Sequence, residues 1–476
     1  MGSFVGRKKE LQLLEDLNRS GRARLVVIKG RRRVGKSRLA QKFAEGKQFI
    51  NFTGLAPLAT ITAQDQRDVF ASQLAQNLGL PPLTFKDWTD AFLHISHNLE
   101  NVPTVLLLDE VSWIGSKDPT FLPKLKAWWD MIHQEFPYLT VILCGSVSIW
   151  IEKNIINSTA FFGRISLIID LEPFSLAECA LFLKEIGWKG SNYEAFKILS
   201  VLGGIPWYLE QINPLQMADE NLKRLCFGKD SLLLDEFDRI FHDLFHQHGD
   251  IYKKIIHVLD DGMKTLNEIR QSLGLPQGGT LSTLMQNLIT SGFVTQHYQW
   301  ALKTEKINRQ SLYRLSDLYT RFYIKYIEHN KLKIKQGTYQ DIEINQLSGW
   351  ETMMGYQVEN LLLQNRPLLL KSLNINPADV VGDNPYCQTK TIRQKGCQID
   401  YLIQTRTNNL FLCEFKFSRR ELGSEIIGEV QEKIERFAIP RRFAVVPVLF
   451  HFGEISDVVY DKRFFYKTID VNEFLE

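Results

Sequence analysis

The chain has 476 residues, 44% hydrophobic and 23% charged, with a formal net charge of +3. This is ordinary globular composition, which excludes a low-complexity or disordered chain, and the length suits about three domains. The near-neutral balance by itself says nothing about nucleic acid. Six cysteines stand singly at 144, 179, 226, 387, 397 and 413, with no CxxC pair. That spacing argues against a zinc site or a disulfide framework and suits a reducing compartment, so a cytoplasmic location is expected. The opening MGSFVGRKKELQLL lacks the apolar core of a signal peptide. No uncharged apolar run is long enough to cross a bilayer, so no membrane partner is expected.

The first strong signal is LVVIKGRRRVGKSRLAQKFA at 25–44: a β-branched strand, a Gly-rich loop and a helical pattern. Gly30 to Ser37 fits GxxxxGK(S/T) in full, with Gly35 as its second glycine. Such a loop wraps its backbone N–H groups around phosphates at a helix N-terminus. Lys36 is expected to reach the β/γ-phosphates of ATP, and the Ser37 hydroxyl to hold Mg²⁺. TVLLLDEVSWI at 104–114 reads as a buried parallel strand ending in Asp109 and Glu110, at the end where such sheets bind ligands. Asp109 would position Mg²⁺ through its water shell, and Glu110 would activate the attacking water. A further strand, TVILCGS at 140–146, ends in Ser146, either a γ-phosphate sensor or a plain strand-end serine. In FFGRISLIIDLEPFSLAE at 161–178, Arg164 is either an arginine finger or an exposed surface arginine. LGGIPWYL at 202–209 reads as a tight turn between helices that could contact the adenine.

Together, FVGRKKELQLL, the phosphate loop, LLLDE, FFGR and GGIPWYL resemble an AAA-related ATPase of the STAND class. Within that class the chain resembles archaeal-type ATPases, also found in bacteria, that carry a C-terminal nuclease-like domain. The resemblance implies that GGIP, with Pro206, contacts the base.

From about residue 250 the pattern changes to short amphipathic helices. IYKKIIHVLDDG, TLNEIRQSLGL and GTLSTLMQNLITSGFVTQH, with a hairpin led by Gly292, read as a winged helix. Its recognition-type helix, Thr280–Ile289, has no Lys or Arg, so it is a poor reader of DNA and better suited to packing or regulation. Residues 302–335 hold nine Lys/Arg against three Asp/Glu, a candidate basic surface or a solvated face. YRLSDLYTRFYIKYI at 313–327 reads as core packing of a long helix.

The last segment begins with an amphipathic helix, LSGWETMMGYQVENLLLQN at 347–365, carrying Glu359. A loop containing NPYCQTKT follows, then QIDYLIQTRTNNLFLCEFKFS at 398–418, a helix over about 423–437 that carries Gln431, and a strand in RRFAVVPVLFHF. Strand alternation puts Phe411, Cys413, Phe415 and Phe417 on one face, expected to be the core stripe, and Leu412, Glu414 and Lys416 on the other. A hairpin symmetric about Thr407 places Asp400 opposite Glu414. Like charges so placed repel, and either Lys416 or a divalent ion should offset them. Oxygen ligands suit Mg²⁺ or Mn²⁺. Asp400 and Glu414 would ligate the metal, Lys416 would orient water or stabilise developing charge, and Glu359 could complete the site. The pattern resembles the PD-(D/E)XK nuclease superfamily, except that Gln398 stands where many members have Glu.

The expectation is an α/β chain in four segments: a P-loop AAA-like parallel sheet over 1–172, a helical lid over 173–245, a winged helix over 246–335 and a restriction-endonuclease-like domain over 340–476. It would couple ATP binding or hydrolysis to Mg²⁺-dependent binding or cleavage of nucleic acid, as a homo-oligomer, with defence against foreign DNA as a candidate role. The alternative is a STAND-type signalling switch whose C-terminal domain binds a partner and cuts nothing.

Overall fold

The computed structural model describes residues 4–19, 21–56, 60–146, 148–245, 249–339, 341–392 and 394–476. Residues 1–3 of the opening stretch and 246–248, at the expected start of the winged helix, lie outside these. The chain divides into two compact units. One runs to Pro173 and includes Ile205–Trp207; the other comprises Phe174–Gly204 and Tyr208–Glu476.

The first unit is built on five strands: β1 Arg24–Lys29, β2 Gln48–Thr53, β3 Thr104–Asp109, β4 Leu139–Gly145 and β5 Ile165–Asp170. They lie in the order β2-β3-β4-β1-β5, all pairs parallel. Every residue of β4 is buried, and all of β3 but its last. That is why these strands read as unbroken apolar runs: both faces are covered. On one face Phe52 stacks on Phe70 at 3.9 Å between ring centroids, within a core that includes Trp88, Phe92 and Phe121. Helix Ala63–Leu78 presents Phe70 to that core. Its start is fixed by a capping box between Thr62 and Asp65, and Gly79 ends it at φ 64°.

The second unit opens with helices Leu176–Glu185 and Asn192–Leu202. The second of these stops at Gly203, which has φ 64°, and Gly204 follows under the Phe174 carbonyl. A Cβ on Gly204 would lie 2.1 Å from that oxygen, so no other residue fits. After further helices, among them Glu236–Phe245, come helix Gly249–Asp260, β6 Lys264–Thr265, helices Leu266–Ser272 and Thr280–Thr290, β7 Val294–Trp300 and β8 Ile307–Leu315. The three strands form an antiparallel sheet in the order β6-β8-β7. Tyr313–Leu315, expected in a long helix, instead complete β8, and the helical part begins at Leu318.

The C-terminal sheet is mixed: β9 Val380–Gln388, β10 Cys397–Thr405, β11 Asn409–Phe417, β12 Ala444–Phe452 and β13 Lys467–Asp470, in the order β13-β12-β11-β10-β9. β9, β10 and β11 run antiparallel; β11, β12 and β13 run parallel. Asn384–Gln388, expected in a loop, belong to β9. Pro385 is tolerated because the β9–β10 register slips between Ile399 and Leu402, where Asp400 and Tyr401 bulge. β11 is central and covered on both faces. Leu410 and Leu412 are fully buried in a core with Ile426 and Val430, whereas Phe415 and Phe417 are only half-buried. The expected core stripe is therefore the shallower of the two. Within this unit the indole of Trp300 on β7 donates to Gln404 on β10 at 2.7 Å, and Gln299 donates to the Pro385 carbonyl at 2.8 Å.

Candidate functional site

The loop after β1 holds its shape through two glycines and one strained arginine. Gly30 sits at φ 146°, and a Cβ there would lie 2.3 Å from the Leu171 carbonyl oxygen. Gly35 caps helix Lys36–Phe43 at φ 92°, and Arg33 adopts φ 70° with its guanidinium 3.5 Å from the Trp207 ring centre. From the opening FVGR, Arg7 donates to the Val34 carbonyl at 3.0 Å and braces the loop from behind. Lys36 is buried, its ammonium donating to the carbonyls of Gly30 and Arg31, both at 3.0 Å.

Ser37 donates to Asp109 Oδ2 at 2.6 Å, and the other Asp109 oxygen accepts from the Glu110 N–H at 3.0 Å. This joins the start of the helix to the end of β3. A hydroxyl and a carboxylate oxygen side by side suit a hard cation such as Mg²⁺. Glu110 occupies the left-handed region at φ 50°, which a non-glycine residue holds only when its surroundings enforce it. Its Oε2 accepts from the Ser146 N–H at 3.1 Å and from the Ser146 hydroxyl at 3.0 Å. Burial raises the Glu110 carboxyl above its ordinary value, and the positive charge of Lys36 opposes that rise. Ser146 thus meets Glu110 directly, a partnership that strand-end position alone did not disclose.

Arg164 donates through Nε and Nη2 to the two oxygens of Asp130, at 2.6 and 2.9 Å. That fork holds the Asp130 carboxyl down to about 2. Arg164 borders an open cavity of about 640 Å³ lined also by Leu122, Lys126 and Phe161, and the neighbouring Phe162 is 83% exposed. Pro206 begins the one-turn helix Pro206–Leu209.

In the C-terminal sheet the register Tyr401↔Cys413, Leu402↔Leu412, Ile403↔Phe411 is symmetric about Thr407, which sets Asp400 opposite Glu414. All four of their oxygens have protein partners. Asp400 Oδ2 accepts from the Phe415 N–H at 3.1 Å, and Oδ1 lies 3.6 Å from Lys433 Nζ. Glu414 Oε1 lies 3.3 Å from Lys416 Nζ, and Oε2 lies 2.5 Å from Lys433 Nζ. Lys416 also donates to Glu429 at 2.7 Å. Burial pushes the Asp400 carboxyl up, reinforced by the Glu414 charge and countered by Lys433. Glu359 is paired elsewhere, with buried Arg314 at 2.5 Å. Among the described residues, no group of three or more His, Cys, Asp and Glu side chains is arranged to hold a metal ion.

One of these partners, Lys433, was legible in the sequence. Helix Glu425–Arg436 buries Ile426 and Val430, and its 3.6-residue period carries that face on to Lys433. Gln431 points outward and donates to Glu435. Gln398 is exposed, one residue out of phase with buried Ile399. Arg314 lies on β8, far from Glu359 in sequence, and no local pattern announces it.

Residues 4–212 match the family model described as an ATPase domain predominantly from Archaea. A Methanocaldococcus jannaschii protein, MJECL04, is 26% identical over 360 residues, 75% of this chain and 76% of that one. Among solved structures, the Walker-type ATPase PABY2304 of Pyrococcus abyssi is 17% identical with a TM-score of 0.44, covering 67% of this chain and 95% of that one. The Aeropyrum pernix ORC2 protein is 15% identical with a TM-score of 0.45, covering 71% of this chain and 97% of that one. No helix among the described residues is long and apolar enough to cross a membrane. With its phosphate loop, its Ser37–Asp109 pair and the matched domain, the chain binds and hydrolyses ATP: it is an ATPase.

Proposed function

We propose that the chain uses the nucleotide state of its first unit to control nucleic-acid binding by its second. The observation that carries the coupling is the path of the chain. Ile205–Trp207 belongs to the first unit, yet the residues on both sides of it belong to the second. Pro206, the candidate base contact, is therefore tied at both ends to the unit that would respond. On the amino side, within the second unit, the Phe174 N–H donates to the Gly204 carbonyl at 2.7 Å.

In this reading Lys36 holds the β/γ-phosphates, Ser37 and Asp109 hold Mg²⁺, and Glu110 takes the proton of the attacking water. Mg²⁺ would neutralise charge on the phosphates. Helix Gly249–Asp260 through β8 is a winged helix, and the C-terminal sheet is a PD-(D/E)XK-like domain. The nucleic-acid contact would be made by the exposed turn between β7 and β8, with Lys303 and Lys306, and by Arg309 at the exposed start of β8. Helix Thr280–Thr290 has no basic residue to neutralise phosphate. Arg164 is the candidate finger, acting in cis or from a second copy of the chain.

Mg²⁺-dependent cleavage is the second reading, favoured by Asp400 facing Glu414 beside Lys416. Against it stands helix Glu425–Arg436, whose Glu425, Glu429, Glu432 and Glu435 are all exposed and would repel a phosphodiester. The test is fluorescence anisotropy with labelled single- and double-stranded DNA and RNA, followed by gel analysis with Mg²⁺ or Mn²⁺, with and without ATP. Salt-sensitive binding, weakened by Lys303→Glu, Lys306→Glu and Arg309→Glu, supports the first reading. Cleavage lost in Glu414→Gln supports the second. Neither would leave a signalling switch that binds a protein partner.

A further inference from the structure

We infer that the ammonium of Lys433 is the resident counter-ion of the Asp400–Glu414 pair and competes with a divalent cation for that position, so the C-terminal site is metal-free in the wild-type chain. The inference deepens the PD-(D/E)XK-like reading of this sheet and rests on it only for the choice of site.

A divalent cation held by two carboxylates needs lone pairs from both, plus further oxygen donors to fill its coordination shell. Here Lys433 Nζ reaches across both groups, 2.5 Å from Glu414 and 3.6 Å from Asp400. The outer oxygens are engaged by the Phe415 N–H and by Lys416. The third candidate carboxylate, Glu359, is committed to Arg314.

The same charges explain why this arrangement is stable. Glu414 is 2% exposed, and a carboxylate so buried must be paired. Lysine supplies a compact charge with several donors, enough to serve both acids from one side. It is carried on the helix face that also buries Ile426 and Val430, so packing holds the ammonium in place. A dication and that ammonium cannot share the position, because like charges at contact in a partly buried site repel. Metal therefore enters only where the lysine is removed.

The test is calorimetric titration of the full nucleotide-free chain with Mn²⁺. Variants that differ only at this site are compared, so any ion taken up at Ser37 and Asp109 cancels. Wild type and Glu414→Gln should bind the same number of Mn²⁺ ions. Lys433→Met should bind one more per chain, and Mn²⁺ should raise its melting temperature by mass action. The added ion should vanish in Lys433→Met combined with Glu414→Gln. If Lys433→Met does not fold, Lys433→Gln serves, since its amide still donates to Glu414 without a charge. Wild type binding one more ion than Glu414→Gln would overturn the inference. So would a folded Lys433 variant that takes up no more Mn²⁺ than wild type. Nucleic acid is absent from the experiment, so failure of the nucleic-acid reading leaves this result standing, and the reverse holds as well.

Discussion

Glu110 and Ser146 form a closed pair at the ends of two adjacent buried strands: one carboxylate oxygen accepts both the Ser146 N–H and its hydroxyl. The pair fixes a carboxylate whose own backbone is strained at φ 50°. If Glu110 is the base, Glu110→Gln should keep ATP binding and lose turnover. Ser146→Ala should retain the backbone bond and lower the rate by roughly tenfold, about 1.4 kcal/mol of positioning. Wild-type turnover in Glu110→Gln would remove the residue from that role.

Burial raises the Glu110 carboxyl. A base works only when ionised, so activity falls as pH drops through its pKa. The acid limb of the ATPase profile should therefore lie above the ordinary glutamate value of about 4.3. A limb at or below that value, measured under saturating ATP, would mean that another group controls it.

Gly30→Ala should damage the phosphate loop more than Gly35→Ala. At Gly30 an added Cβ meets the Leu171 carbonyl at 2.3 Å, whereas at Gly35 it meets nothing within 4 Å. Only the positive φ opposes alanine at Gly35, at a cost of about 1–2 kcal/mol. At Gly30 the clash comes on top, and about 3 kcal/mol or more is expected by denaturant titration. Equal losses would contradict the fit of the loop against Leu171.

The fork from Arg164 to Asp130 makes a test of the finger possible. An arginine acting across a subunit boundary gives a rate per chain that rises with protein concentration. Mixing Arg164→Ala with Lys36→Ala chains should then restore part of the activity, because each supplies what the other lacks. A concentration-independent rate from a strict monomer would leave Arg164 with a cis role or with the Asp130 pair alone.

Asp400 provides a pH signature for the C-terminal sheet. Its carboxyl is raised in the folded chain, so the native state holds the proton more tightly than the unfolded one. Stability from that proton is complete below the unfolded value of about 3.9 and is lost as pH rises through the higher folded value. Asp400→Asn cannot ionise, so its melting temperature relative to wild type should improve steadily from acid to neutral pH. A difference that stays constant with pH would mean that Asp400 is not perturbed.

What the sequence disclosed follows from the range of each signal. The phosphate loop, the apolar β3 ending in Asp109–Glu110, and the hairpin about Thr407 are local patterns of spacing, and each could be read in place. The face of β11 could not, because a central strand of a mixed sheet is buried on both sides and alternation then says little about depth. The β9 strand was hidden by Pro385, whose place opposite a bulge exists only once β10 has paired. Arg314 on Glu359 and Asp130 on Arg164 are tertiary choices between many equivalent charges. Lys433 lay between these cases: helical period would have found it, had the face been counted from Val430.

The most direct test of the coupling is the affinity of the Glu110→Gln chain for a labelled oligonucleotide, measured by anisotropy at fixed salt with Mg²⁺-ATP and without nucleotide. Because this variant should hold ATP without consuming it, each state can be sampled at equilibrium. The account predicts affinities that differ by about tenfold, a coupling free energy of about 1.4 kcal/mol, with the difference abolished by Lys36→Ala. Equal affinity in the two states, or no binding to any oligonucleotide, would contradict it.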